Sequence, residues 1–253
     1  MTGNAPRSGP RSGPRSELLG VLLGALLGAL LGLAALGPLI ALAAPPAAPE
    51  DLTEAARPWT SGPSVHARFL DRLHTLEPLR GRFEQHVEDG YGQRCDQRAG
   101  RFALAPGLGL NWVTESPFEE QLVLNGEGAW LWDPALQQAF RRPLADLAGT
   151  PATLLVGLGE AWLEDYTVET QASDALERFR LQRDAEAELR PGAPAQLELV
   201  WIEGTLSLIS VEEGTGQRLV LRLRALAPAV LGPEAFLFEP PEGAEVIDEG
   251  AAE

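Results

Sequence analysis

The sequence predicts a mainly β (α+β) chain: one strongly curved antiparallel sheet of about 11 strands, with a helix before it and helical cover over its concave side. Three observations carry this. Strand-like segments follow one another at short spacing with no helices between them. The stretch 109–134 (GLNWVTESPFEEQLVLNGEGAWLWDP) reads as three consecutive strands turned at Ser116-Pro117 and Asn125-Gly126, both chain-reversal signals. The only long break in the strand succession is an apolar, helix-like segment at 143–163. A sheet of that many strands curls rather than staying flat.

At the N-terminus, Arg7, Arg11 and Arg15 precede an apolar run over 18–44 that ends Ala41-Leu42-Ala43-Ala44. Basic lead, apolar run and small-residue exit are the layout of a secretory signal, and cleavage after Ala43 leaves Ala41 and Ala43 at the small positions. The alternative is a retained membrane anchor, since the run is long enough to span a bilayer. The Pro/Ala-rich segment 44–63 reads as a linker. One domain is expected over 64–248, followed by an acidic tail at 249–253.

Val65, Phe69, Leu73 and Leu76 recur at helical spacing, so a helix is expected over 64–76, with Ser64 as its N-cap and Pro78 ending it. Strands are expected at 79–88, 98–104, 109–115, 120–125, 128–133 and 137–142. After the helical insertion they resume at 164–170, 176–183, 195–203, 206–212 and 217–226. A short extended piece, 236–238, leads into Pro240-Pro241.

The composition excludes several function classes. The chain has no lysine, so a phosphate-binding loop of the Walker type is absent. The part after residue 43 carries 17 arginines against 35 acidic residues, a net charge near −18. Such a body is repelled by nucleic acid and anionic membranes and attracted to basic protein surfaces. Cys95 is the only cysteine, which rules out an internal disulfide, a cysteine metal cluster and lipid attachment just after the signal. His66, His74 and His86 lack a third ligand at metal-site spacing. No nucleophile elbow or assembled triad is visible, and the acidic pairs Glu119-Glu120 and Glu212-Glu213 fall at strand ends. No catalytic residue, metal or cofactor is assigned.

What remains is apolar surface. Leu197, Leu199 and Trp201 alternate along one segment, Leu206 and Leu208 are read as sharing a face, and Leu219, Leu221 and Leu223 alternate with Arg222 and Arg224. Trp112, Trp130 and Trp132 are read as part of one aromatic wall. A filled barrel core explains these residues if the insertion is fixed over them; a lipid-sized cavity explains them if it moves.

Several motifs in order resemble the periplasmic outer-membrane lipoprotein carrier family, LolA. They are Phe83-x-Gln85 with Asp89-Gly90 and Gly100; Leu110-Asn111-Trp112; Leu122-Val123 with Asn125-Gly126, Trp130 and Asp133-Pro134; and Gln137-Gln138-Ala139. Thr150-Pro151 with Leu154-Leu155, Trp162 with Tyr166, and the ending Phe236-x-Phe238-x-Pro240-Pro241-x-Gly243 with Val246 continue the match. It spans roughly 65–248. The family's basic residue beside the proline before the Asn-Trp strand, thought to latch the lid, is missing from Leu104-Ala105-Pro106-Gly107.

The resemblance implies an unclosed β-barrel with a helical lid. It also implies a monomeric periplasmic carrier that takes lipoproteins from an inner-membrane ABC transporter and delivers them to an outer-membrane acceptor. On that basis the acyl chains are expected to contact Leu110, Trp112, Leu122, Leu124, Trp130, Trp132, Leu199, Trp201, Leu208, Leu221 and Leu223. The lid is expected to present Leu154, Leu155, Leu158 and Trp162. Other readings are a related lipid or glycolipid binder, a sensor of mislocalised lipoproteins, and an exported structural protein with a filled core. Burying an acyl chain is worth about 0.8 kcal/mol per CH₂, so three chains represent roughly 30–40 kcal/mol of exposure to water, which an external energy source must offset during loading.

Overall fold

The computed structural model describes residues 58–158, 160–187 and 193–250. The predicted signal peptide and most of the predicted linker lie outside the described residues, as does 251–253 of the tail.

The N-terminal helix, α1 (Pro63–His74), buries Val65, Phe69 and Leu73, one residue per turn along one stripe. Its start differs from the expectation. Gly62 occupies the N-cap position without a side-chain bond, and Pro63, whose ring sets a helical φ, is the first helical residue. Ser64 therefore lies inside the first turn. The helix stops two residues short of Leu76, where the Thr75 hydroxyl donates to the Asp71 carbonyl.

Among the described residues, thirteen strands form a single sheet. In chain order they are β1 (Thr60–Ser61), β2 (Leu79–Glu88), β3 (Arg94–Ala105), β4 (Gly109–Ser116), β5 (Glu120–Asn125), β6 (Gly128–Asp133) and β7 (Gln138–Pro143), followed by β8 (Tyr166–Ala172), β9 (Leu176–Arg183), β10 (Gln196–Ile202), β11 (Thr205–Glu212), β12 (Arg218–Pro228) and β13 (Glu245–Asp248). The eleven expected strands all form. The two extra ones are short edge strands: β1 pairs with β8, and β13 runs parallel to β7. Cys95, expected in a loop, lies near the start of β3. In the piece expected to be extended over 236–238, Phe236 ends a 3₁₀ turn (Pro233–Phe236), Leu237 after it is extended, and β13 follows as a separate short strand.

The spatial order is β1-β8-β9-β10-β11-β12-β2-β3-β4-β5-β6-β7-β13. Two meanders, β2–β7 and β8–β12, are thus fused by the β12–β2 ladder, in which Leu223 faces Phe83 and Leu219 faces Val87. The edges β1 and β13 do not meet, so the curved sheet stays unclosed. The chain between β7 and β8 forms a 3₁₀ turn (Leu144–Leu147), the short helix α2 (Pro151–Leu155) and a second 3₁₀ turn (Ala161–Asp165). One continuous core joins α1, this segment and the inner face of β2–β12.

The C-terminal segment crosses the outer face. The Asn111 and Asn125 side-chain amides donate to the Ala235 and Phe236 carbonyls at 2.9 and 3.0 Å, and Phe236 is buried against the sheet. Glu249, the first residue of the expected acidic tail, is tied down: its backbone N–H donates to the Arg141 carbonyl, and its carboxylate accepts from Arg142.

The β3–β4 ladder shifts register between Ala99 and Gly100. A Cβ at Gly100 would sit 2.0 Å from the Val113 carbonyl oxygen and 2.8 Å from the Phe83 ring. Neither backbone nor buried ring can yield, so Gly100→Ala is expected to destabilise the protein by more than about 2 kcal/mol in urea unfolding.

Candidate functional site: the lidded concave face

Side chains alternate between the two faces of each strand, and directly paired residues of neighbouring strands share a face. Leu104, Leu110 and Leu124 are successive partners across β3, β4 and β5, and Phe102, Trp112 and Leu122 form the next row. Both rows point into the core. Trp112 stacks on Phe83 with centroids 3.9 Å apart and on Phe102 at 5.8 Å. Across the sheet, Leu197, Leu199, Trp201, Ile209, Leu221 and Leu223 line the same face. Phe179 joins α1 to that wall, lying 5.2 Å from Phe69 and 5.7 Å from Trp201.

Of the eleven residues expected on the concave face, eight are there: Leu110, Trp112, Leu122, Leu124, Leu199, Trp201, Leu221 and Leu223. Three are not. β5 and β6 are joined by a tight turn that pairs Asn125 with Gly128, which sets Leu122 opposite Leu131 and Leu124 opposite Ala129. Leu131 and Ala129 therefore face inward, and Trp130 and Trp132 face outward. Trp130 packs on Phe238 at 5.7 Å and under the Arg141 guanidinium. Trp132 lines an outer-face pocket with Val113, Glu115 and Gln121. Leu208 is displaced for a different reason. A bulge between Val200 and Trp201 pairs Trp201 with Leu206 but Val200 with Leu208, so Leu206 faces inward and Leu208 outward. Inward residues outside the expected set include Phe83, Phe102, Leu131, Phe179, Leu181, Ile209 and Val211. Phe179 and Leu181 carried a period-2 signal, and Leu131 needed the turn length.

The segment between β7 and β8 covers this face. Leu154, Leu155 and Trp162 are buried in the core, with Leu154 at 1 % exposure, and Leu158 packs against it partly buried. Val156 and Leu163 are buried beside them. Thr150 caps α2 by accepting the Thr153 amide, and Pro151 begins the helix.

A family model described as "Outer membrane lipoprotein carrier protein LolA" matches residues 74–239. The chain belongs to the LolA family. It is similar to outer-membrane lipoprotein carrier proteins of Chromohalobacter salexigens (34 % identical, covering 72 % of this chain and 86 % of that protein) and Alkalilimnicola ehrlichii (36 %, covering 73 % and 82 %). A third, from Alcanivorax borkumensis, is 31 % identical and covers 72 % and 86 %.

In this LolA-family chain the lid is tied to the sheet without an arginine near Ala105. The Gly107 backbone N–H, in the β3–β4 turn, donates to the Val156 carbonyl at 2.8 Å. Gly107 sits at φ 77°, a left-handed conformation that suits glycine and aims its amide at the lid. At the lid's other end, His74 on α1 lies 2.7 Å from Glu160. The Asp184 backbone N–H donates to the Asp165 carbonyl at 2.9 Å, a second main-chain tie, and Leu154, Leu155 and Trp162 are held by apolar packing.

The outer face carries the charge. Arg178 grips Glu198, and Arg82 and Arg101 share Glu115, whose carboxyl they hold below its ordinary range. Burial raises the Glu120 carboxyl against the opposing pull of Arg98. Burial lowers the His86 imidazole, and its contact with Glu88 at 3.0 Å only partly offsets this.

Two outcomes follow. Leu131→Ala is expected to cost about 2–5 kcal/mol in chemical denaturation, and Leu208→Ala about 1 kcal/mol or less; the order would reverse if Leu208 faced the core. Because the folded His86 prefers to be neutral, its stabilising contribution is present above the ordinary value of 6.5 and is lost as pH falls below it. Urea midpoints measured between pH 7 and pH 5 should therefore fall less in His86→Gln than in the parent.

Proposed function

We propose that the protein is a periplasmic carrier that shields the acyl chains of lipoproteins on the concave face of its sheet, with the chains replacing the lid residues Leu154, Leu155 and Leu158 and packing against Trp162. The single observation that carries this reading is the apolar face itself, an open sheet whose inner side is covered by a short separate segment rather than by barrel closure. The cover is made mostly of non-directional apolar contacts, which acyl chains reproduce with little geometric demand. The curated relatives carry the name outer-membrane lipoprotein carrier protein, which agrees with this cargo.

The acyl contacts are assigned to Leu110, Trp112, Leu122, Leu124, Leu199, Trp201, Leu221 and Leu223. Loading comes from an inner-membrane ABC transporter, whose ATP hydrolysis offsets the exposure of the chains, and unloading goes to an outer-membrane acceptor. The strong acidic excess of the chain favours basic docking surfaces on both partners. The N-terminal apolar segment serves as the export signal.

Leu110→Glu places a charge on the acyl-facing wall. It is expected to retain the β-sheet circular dichroism of the parent while losing at least tenfold in the release of lipoprotein from inner-membrane spheroplasts. Normal release by a folded variant would overturn the assignment of the cavity.

A further inference from the structure

Trp162 is a polar group in an apolar place. It stands on the 3₁₀ turn Ala161–Asp165 at the end of the lid, 3 % exposed and within the concave core. Among the described residues its indole Nε1–H has no hydrogen-bond partner. The nearest aromatic neighbour, Tyr166, meets it edge-on at 5.0 Å, and the Tyr166 hydroxyl is already committed to the Pro194 carbonyl. A buried donor without an acceptor destabilises the state that contains it, and phenylalanine would fill much of this position without that penalty.

We propose that Trp162 is the polar contact of the acyl site: its Nε1–H donates to an ester or amide carbonyl at the head end of the cargo's acyl chains once they displace Leu154, Leu155 and Leu158, while the indole keeps its place beside Tyr166. This inference rests on the carrier reading above and adds a ligand chemistry to it. The methylene chains of an acylated protein offer no acceptor, and their only strong acceptors near the hydrocarbon are the carbonyls that join chain to glycerol or to the amino terminus. A donor at the lid's end, next to β8, therefore distinguishes acyl-linked chains from plain hydrocarbon. The same unmet donor weakens the closed state and is satisfied in the loaded one, so it biases the exchange in the direction a carrier requires. Tyr166 braces the indole ring, and apolar neighbours keep water from competing for the N–H.

The test uses the full chain and two fluorescent probes of equal chain length, a diacylglycerol and a dialkyl-ether glycerol, which differ in their carbonyls. The parent is expected to bind the diacyl probe about five- to tenfold more tightly than the ether. Trp162→Phe is expected to bind both equally, the five- to tenfold preference for the diacyl probe being lost. In the parent, the indole N–H proton resonance that is missing from the Trp162→Phe spectrum should shift on adding the diacyl probe and stay in place with the ether; this measurement does not depend on the variant's stability. Retention of the ester preference in Trp162→Phe, equal weakening of both probes, or a Trp162 resonance indifferent to the carbonyl would overturn the inference and leave the carrier reading standing. Failure of the parent to bind either probe would overturn both.

Discussion

An open sheet with an apolar inner face must be covered, and the rest of this structure depends on how that cover is made. The sheet does not close on itself, because its edges β1 and β13 pair only inward. The inner face is instead shielded by α1 on one side and by the segment between β7 and β8 on the other. α1 is held by directional bonds: Arg68 and Arg72 both reach Glu177, and Arg68 also donates to the Thr170 hydroxyl. Among the described residues the lid's ties are two main-chain bonds, from Gly107 to Val156 and from Asp184 to Asp165, and the exposed His74–Glu160 contact, worth little in water. The two covers therefore differ in kind. One is fastened by side-chain bonds; the apolar middle of the other is held by the hydrophobic effect, which is indifferent to whether its partner is leucine or a lipid chain.

The outer face does the opposite work. Its arginines and carboxylates pair across strands, as in Arg178–Glu198 and Arg180–Glu169, and keep a thirteen-stranded sheet wetted on one side. The C-terminal segment takes over where the outer face is apolar. Asn111 and Asn125 hold its backbone, Phe236 packs against Gly109, and Phe238 meets Trp130. The Asn of the Leu-Asn-Trp motif thus has a structural role: its neighbours Leu110 and Trp112 face the core while it anchors the chain end on the other side. Gly109 belongs to the same contact, since a Cβ there would come within 2.4 Å of the Leu124 carbonyl oxygen.

Much of this was legible in the sequence. Period-2 alternation and paired turn signals identified eleven strands, the apolar insertion identified the cover, and the motif order identified the family. Within a strand, alternation correctly grouped Leu110 with Trp112 and Leu199 with Trp201, because the pleat is a local property of the backbone. Relations between strands were another matter. Trp130 and Trp132 alternate as properly as Trp112 does, yet they point to the other side, because the tight β5–β6 turn sets the register and one residue of slip turns a whole strand over. Leu208 follows the same logic through a bulge.

The sequence by itself determined the class of fold, the apolar character of one sheet face, the acidic excess and the absence of lysine. Only the tertiary structure decided which aromatics face inward, that the Gly107 amide ties the lid to the β3–β4 turn, and that among the described residues the Trp162 N–H is buried without a partner. The physical reason is range. Alternation and turn chemistry act over a few residues, whereas register, bulges and hydrogen-bond satisfaction are settled by contacts between segments far apart in the chain, such as Gly107 with Val156 and Asn111 with Ala235.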